Sequence, residues 1–173
     1  GITIPNGVER IDYGAFMQSD SLTNVTIPNT VTILESGVFY MCYSLTNIII
    51  PDDVTSIGER AFEGCVNLTK VTVGKNVTSI GEMAFSECSK LCEIINRSKL
   101  ELTFGSFKNG YLAYYANVIE NIDGTRVYKE AISYFKKVVE NGKSKEYISE
   151  SIYEIAVLSK KTKDYDQAVK YYK

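Results

Sequence analysis

Four cysteines and no histidine bound the chemistry open to this chain. Cys42, Cys65 and Cys88 recur at steps of 23 residues, and Cys92 follows four residues after the last of them. Such thiols suit disulfide exchange or, as thiolates, a soft metal. Three of them share one repeat spacing, so stacked repeats would line them up as a column. Column neighbours lie near disulfide range by Cα distance, yet their Cβ vectors run parallel, and three cannot pair evenly. A metal would need further ligands, and histidine, the commonest, is missing. The expectation is a column of reduced thiols that act as small apolar plugs, with no metal and no cofactor. Cys92 aligns instead with Thr23, Thr46 and Thr69 at a strand entrance, and its spacing from Cys88 is a weak metal or redox signal.

Other catalytic constellations are missing too. A thiol nucleophile here lacks a base. No glycine-rich phosphate loop follows a strand, and no Gly-x-Ser-x-Gly elbow occurs. The adjacent acids Asp52 and Asp53 fall in a repeat loop and read as solvated. The chain is therefore expected to be non-enzymatic. Its 173 residues are 45% apolar and 23% charged, with a net charge of −2. The first 109 residues are net acidic and the rest weakly basic. Neither part makes a basic footprint, which argues against nucleic acid. No apolar run approaches the roughly 18 residues of a membrane-spanning helix.

What must position these residues is a repeat. "SIGERAFEGC" at residues 56–65 returns as "SIGEMAFSEC" at 79–88. Phe16, Phe39, Phe62 and Phe85 keep the same step, as do Leu22, Leu45, Leu68 and Leu91, and Val8, Val31, Val54 and Val77. Within each copy, "LTNVTIP" alternates apolar and polar residues, the mark of a half-buried strand. "VTSIG" reads as a second extended piece stopped by glycine, and "ERAFEGC" is long enough only for one turn or a 3₁₀ segment. A single copy cannot bury its own apolar side, so the copies must stack, with parallel strands about 4.8 Å apart.

The stretch "IPDDVTSIGERAFEGCVNLTKVTV" resembles the BspA-like leucine-rich repeat, over residues 1–109. The resemblance implies an α/β repeat solenoid with one short parallel strand per 23-residue repeat. It also implies a cell-surface or secreted protein whose task is adhesion to, or recognition of, a host, matrix or other surface protein. The asparagine of common leucine-rich repeats is not kept; Gly7, Thr30, Asp53 and Asn76 stand there. The exposed strand face is the candidate protein-binding surface. It comprises Thr3, Thr26, Ile49 and Thr72 in one column and Asn24, Asn47, Lys70 and Glu93 in another. The plain alternative is that threonine simply suits strands.

After Leu91 the rhythm fades. Ile94 still fits a strand, "LELTFGS" reads as a further edge strand, and Tyr111, Leu112, Tyr115, Val118 and Ile119 lie at helical spacing. The expectation is an aromatic-rich helix that caps the last apolar layer. Residues 110–173 hold most of the 13 tyrosines. There Tyr128, Ala131 and Phe135 are echoed by Tyr165, Ala168 and Tyr172, with Thr125 as an N-cap and Gly142 as a stop. This segment resembles tetratricopeptide helices, although Arg126 and Lys163 replace the usual glycine, and it implies protein docking. The sequons at Asn24, Asn67, Asn76 and Asn96 read as accidents of an Asn/Thr-rich repeat. The chain opens inside one repeat and ends inside a helical pattern, so a fragment of a longer protein is expected. Three functions compete at this point. One is a protein-binding scaffold, the second a stalk or spacer, and the third a regulatory part of an enzyme lying elsewhere.

Overall fold

The computed structural model describes residues 1–124 and 126–128. Its strands, in chain order, are β1 (Ile2–Thr3), β2 (Arg10–Ile11), β3 (Val25–Thr26), β4 (Ile33–Leu34), β5 (Asn47–Ile49) and β6 (Ser56–Ile57). β7 (Lys70–Val73), β8 (Ser79–Ile80), β9 (Glu93–Asn96), β10 (Val118–Glu120) and β11 (Arg126–Tyr128) complete the series. Two compact units result: Gly1–Ile122, and one beginning at Asp123.

The first unit is a parallel β-solenoid of about five turns. On one side β1 pairs with β3, and β5, β7, β9 and β10 lie side by side, all parallel. On a second side β2, β4, β6 and β8 form a parallel sheet. Register follows the repeat: Ile48 faces Val71, Val71 faces Ile94, and Ile57 faces Ile80. Each of the first four coils thus contributes two strands, not the single one expected from the family resemblance. The "VTSIG" piece is the second.

The third side is made of turns, and among the described residues there is no helix. The reason is visible in the backbone. Gly14, Gly37, Arg60 and Met83 take left-handed φ of 61°, 61°, 55° and 55°, and Gln18, Met41, Gly64 and Glu87 do so again four residues later, at 55° to 74°. Only three residues separate the two kinks, enough for one tight-turn bond, such as Met17 N–H to the Gly14 carbonyl, but not for a helix. The middle amide of the three turns sideways instead. Phe16, Phe39 and Phe62 donate N–H bonds to the carbonyls of Val38, Ala61 and Ala84 in the next coil, at 2.9, 2.7 and 2.8 Å.

The core follows from this stacking. Phe16, Phe39, Phe62 and Phe85 form one ladder with ring centroids 5.2, 5.3 and 5.0 Å apart and nearly parallel planes. Leu45, Leu68, Val31 and Val54 are wholly buried beside it. Threonine hydroxyls run along the outside. Thr32, Thr55 and Thr78 each donate to the carbonyl one coil earlier, and Thr46 and Thr69 do the same in a second row. Stacking also explains two glycines. A Cβ at Gly58 would collide with the backbone of Glu35 and Ser36, and one at Gly74 with the carbonyl of Pro51.

The expected cap is built differently. Asn109, Gly110 and Tyr111 have φ of 52°, 59° and 68°, which no right-handed helix tolerates. The chain turns there and then extends, because β-branched Val118 and Ile119 complete the open edge of β9 as β10, with Ile119 opposite Ile94. Leu112, Ala113, Ala116 and Ile119 bury at 0–2% exposure and close the last layer. "LELTFGS" forms no strand. Arg126–Tyr128, expected to open a helix, is extended as β11 in the second unit. The expected tetratricopeptide-like helices beyond Tyr128, and the Thr125 cap, lie outside the described residues.

The phenylalanine ladder generates a test. Phe62→Ala removes a fully buried ring stacked on both sides and is expected to cost about 3–5 kcal/mol. The measurement is the shift of the urea midpoint at unchanged m-value. A shift worth under about 1 kcal/mol would show that these rings do not carry the core.

Candidate functional site

The cysteine column has the predicted form. Cys42, Cys65 and Cys88 are free and buried, and Cys92 is free and exposed. Each buried thiol donates to the carbonyl of a ladder phenylalanine 26 residues earlier: Cys42 to Phe16 at 3.0 Å, and Cys65 to Phe39 and Cys88 to Phe62 at 3.2 Å each. The plug is therefore also a weak staple between coils. Burial pushes all three thiols upward, Cys88 to about 12 and Cys65 further. Thiolate is the reactive form, so these groups are inert at neutral pH. Cys92 takes the place of a ladder threonine, its Sγ lying 3.4 Å from the Thr69 carbonyl where Thr69 itself bonds Thr46. Among the described residues no cluster of histidine, cysteine or carboxylate side chains could hold a metal.

The strand face brings the other candidates together. In-register pairing sets Thr3 beside Thr26, Asn47 beside Lys70 and Ile49 beside Thr72. Lys70 and Glu93 face each other in register and form an ion pair of 3.1 Å. Both ends are partly solvated, so the pair is worth about 0–1 kcal/mol and mainly fixes the two side chains in place. Thr3, Asn24, Thr26 and Asn47 are exposed, and Ile49 stands out at 61% exposure. Thr72 corrects the sequence reading. It is only 6% exposed, because its column neighbours are Ile49 and, on the far side, Ile95. Two large side chains at strand spacing close over a small one between them.

The sequons separate in the same way. Asn96 is 3% exposed, and its amide oxygen accepts from both the N–H and hydroxyl of Ser98 while its nitrogen donates to Leu100. Its role is to hold the bend after β9. Asn67 bridges coils through the Tyr43 carbonyl and the Lys90 ammonium. Asn24 and Asn76 are exposed.

The consensus hides one surface. On the turn side, the repeat positions of Tyr13, Met17 and Gln18 change from coil to coil, and a reading that follows what repeats passes over them. That failure to repeat is the signal that finds them. Of the capping aromatics, Phe107, Tyr111 and Tyr114 pack on one another at centroid distances of 5.0, 5.3 and 5.7 Å, with Phe107 at 64% exposure.

This architecture defines a class: a leucine-rich-repeat solenoid whose coils present rigid, side-chain-bearing faces. The chain belongs to the BspA type leucine rich repeat family, whose model, a region of six copies, matches residues 1–122. Among solved structures it is similar to a leucine rich cell surface protein of Faecalibacterium prausnitzii, at 30% identity and a TM-score of 0.57. That match covers 69% of this chain and 31% of that one. It is also similar to the leucine rich repeat protein of T. pallidum, at 25% identity and a TM-score of 0.55, over 68% and 56% of the two chains. The chain thus spans about a third and about half of the lengths of these two relatives. No curated protein matches it. No helix of the described residues is long and apolar enough to cross a membrane.

The buried thiols set a pH dependence. Their folded pKa values lie above the ordinary 9.0. The folded state therefore keeps its protons where the unfolded chain loses them. Stability is expected to be level below pH 9 in respect of these groups and to fall as pH rises from there toward 12. Urea midpoints across that range check this, and Cys65→Val with Cys88→Val should flatten the slope. Thiol labelling at neutral pH should reach Cys92 long before Cys42, Cys65 or Cys88.

Proposed function

We propose that this chain is the recognition part of a cell-surface or secreted protein, that it is not an enzyme, and that it binds a protein partner through the strand face. The single observation that carries the reading is the face itself. β1, β3, β5, β7, β9 and β10 set Thr3, Asn24, Thr26, Asn47, Ile49, Lys70 and Glu93 in fixed rows on a backbone hydrogen-bonded coil to coil. Such a surface has little ordering entropy left to lose on docking. Ile49 is its apolar centre, rimmed by amides, hydroxyls and one ion pair, the anatomy of a protein contact and not of a phosphate-binding surface. Thr72 supports the neighbours and does not touch the partner. The surface location rests on the F. prausnitzii relative being described as a cell surface protein.

The test is Thr26→Arg, Asn47→Arg and Ile49→Arg in one chain, with circular dichroism and the melting midpoint checked first. Because a few central residues carry most of a contact, a verified partner is expected to lose at least about a hundredfold in affinity. Unchanged affinity would remove the strand face from consideration.

A further inference from the structure

The turn side of the coils is a continuous wall. Gly14 donates to Ser36, Gln18 to Tyr40, Gly37 to Glu59, Met41 to Glu63, Arg60 to Glu82 and Gly64 to Ser86, all at 2.7–3.1 Å. What it displays changes along its length. Its first coils expose Tyr13 at 73%, Met17 at 37% and Tyr43 at 41%. Tyr13 and Met17 converge on the next coil: a Cβ placed on Gly37 would stand 3.9 Å from Tyr13 Cε2, 3.5 Å from Met17 Cε and 3.8 Å from Tyr40 Cβ. In later coils the same positions turn acidic. Tyr13 gives way to Glu59 and Glu82, Met17 and Tyr40 to Glu63, and Gln18 and Met41 to Glu87.

Neither half is explained by folding. The same columns accept serine, glycine or glutamate in other coils, so no packing rule requires exposed tyrosine and methionine at the start. The carboxylates are also under-compensated. Asp12 and Glu35 share Arg10, but Glu59 and Glu63 have only Arg60, at 3.3 and 3.6 Å. Glu63 Oε2 is buried without a hydrogen bond. Burial, offset only in part by Arg60, and then the like charges of Glu87 and Glu59, raise its carboxyl above the usual range.

We infer that the turn side is a second docking surface, fitted to a protein segment that sets an aliphatic side chain beside lysine or arginine. The aliphatic group lies on Tyr13, Met17 and Tyr40. The cation reaches the exposed Glu59 and Glu87, one and two coils beyond Tyr40. Complementary charge would speed encounter and fix orientation, while the aromatic and methionine side chains supply the buried area.

The probe is a synthetic peptide of leucine and lysine, titrated at physiological salt into the full ¹⁵N-labelled chain. Two control peptides replace lysine by glutamate, or leucine by serine. The expected result is that only the leucine–lysine peptide binds and that it moves the amide signals of Met17, Tyr40 and Glu63. Tyr13→Ser with Met17→Ser, and separately Glu59→Gln with Glu87→Gln, should each weaken it about tenfold. Ile49→Arg should leave it unchanged, which separates this surface from the strand face. The inference is overturned by no binding, by equal binding of either control, by unchanged affinity in the variants, or by shifts that map to β5 and β7.

Discussion

Every coil of this solenoid hands its backbone hydrogen bonds to the next. That one constraint explains most of the rest. On the turn side the left-handed kinks limit local bonding to single tight turns, such as Met17 N–H to the Gly14 carbonyl. Amides such as those of Phe16 and Gln18 must find a carbonyl in the neighbouring coil, and the neighbour offers one only if its chain is in register. Unmade bonds at buried amides would cost about 1–3 kcal/mol each, and the parallel strands of the first four repeats pair at a constant step of 23. A deviation appears in the last coil, where Phe85 reaches Gly110 and the pairing of Val118 with Glu93 shifts the count.

Once register is fixed, side chains of one repeat position become near neighbours at strand spacing, and each column must solve a packing problem. Phenylalanines solve it by stacking and cysteines by filling small gaps and bonding a carbonyl. Threonines tie their hydroxyls to the coil before. Glycine appears where the neighbouring backbone comes too close for a Cβ, as at Gly58. Cys92 illustrates how position outweighs identity: it makes the contact of the threonine it replaces and shares nothing with the three buried thiols but its element.

The same register separates scaffold from display. Inward columns must repeat, so they carry no information about a partner. Outward columns are free to vary, and on this chain they vary differently on two sides. The strand side keeps small polar residues around Ile49. The turn side passes from tyrosine and methionine to glutamate. A solenoid of this family is therefore a rigid frame with independent surfaces, and its structural relatives, longer than this chain, use the same frame.

How much of this was legible beforehand follows from how local each feature is. Period, core columns, burial of Cys42, Cys65 and Cys88, and parallel stacking are written in the sequence, because identical residues at equal steps must solve identical problems. The strand-face candidates were legible by alternation alone. Only the tertiary structure decided three things. Thr72 is covered, since its exposure depends on Ile49 and Ile95, which are adjacent across strands and 23 residues away in the chain. The stretch from Tyr111 to Ile119 turns and extends where its spacing suggested a helix, since the open edge of β9 offers hydrogen bonds that outweigh a helical pattern of apolar residues. And the turn-side residues Tyr13, Met17 and Tyr40 meet around Gly37, since only stacking brings together positions whose common property in the sequence is that they do not repeat.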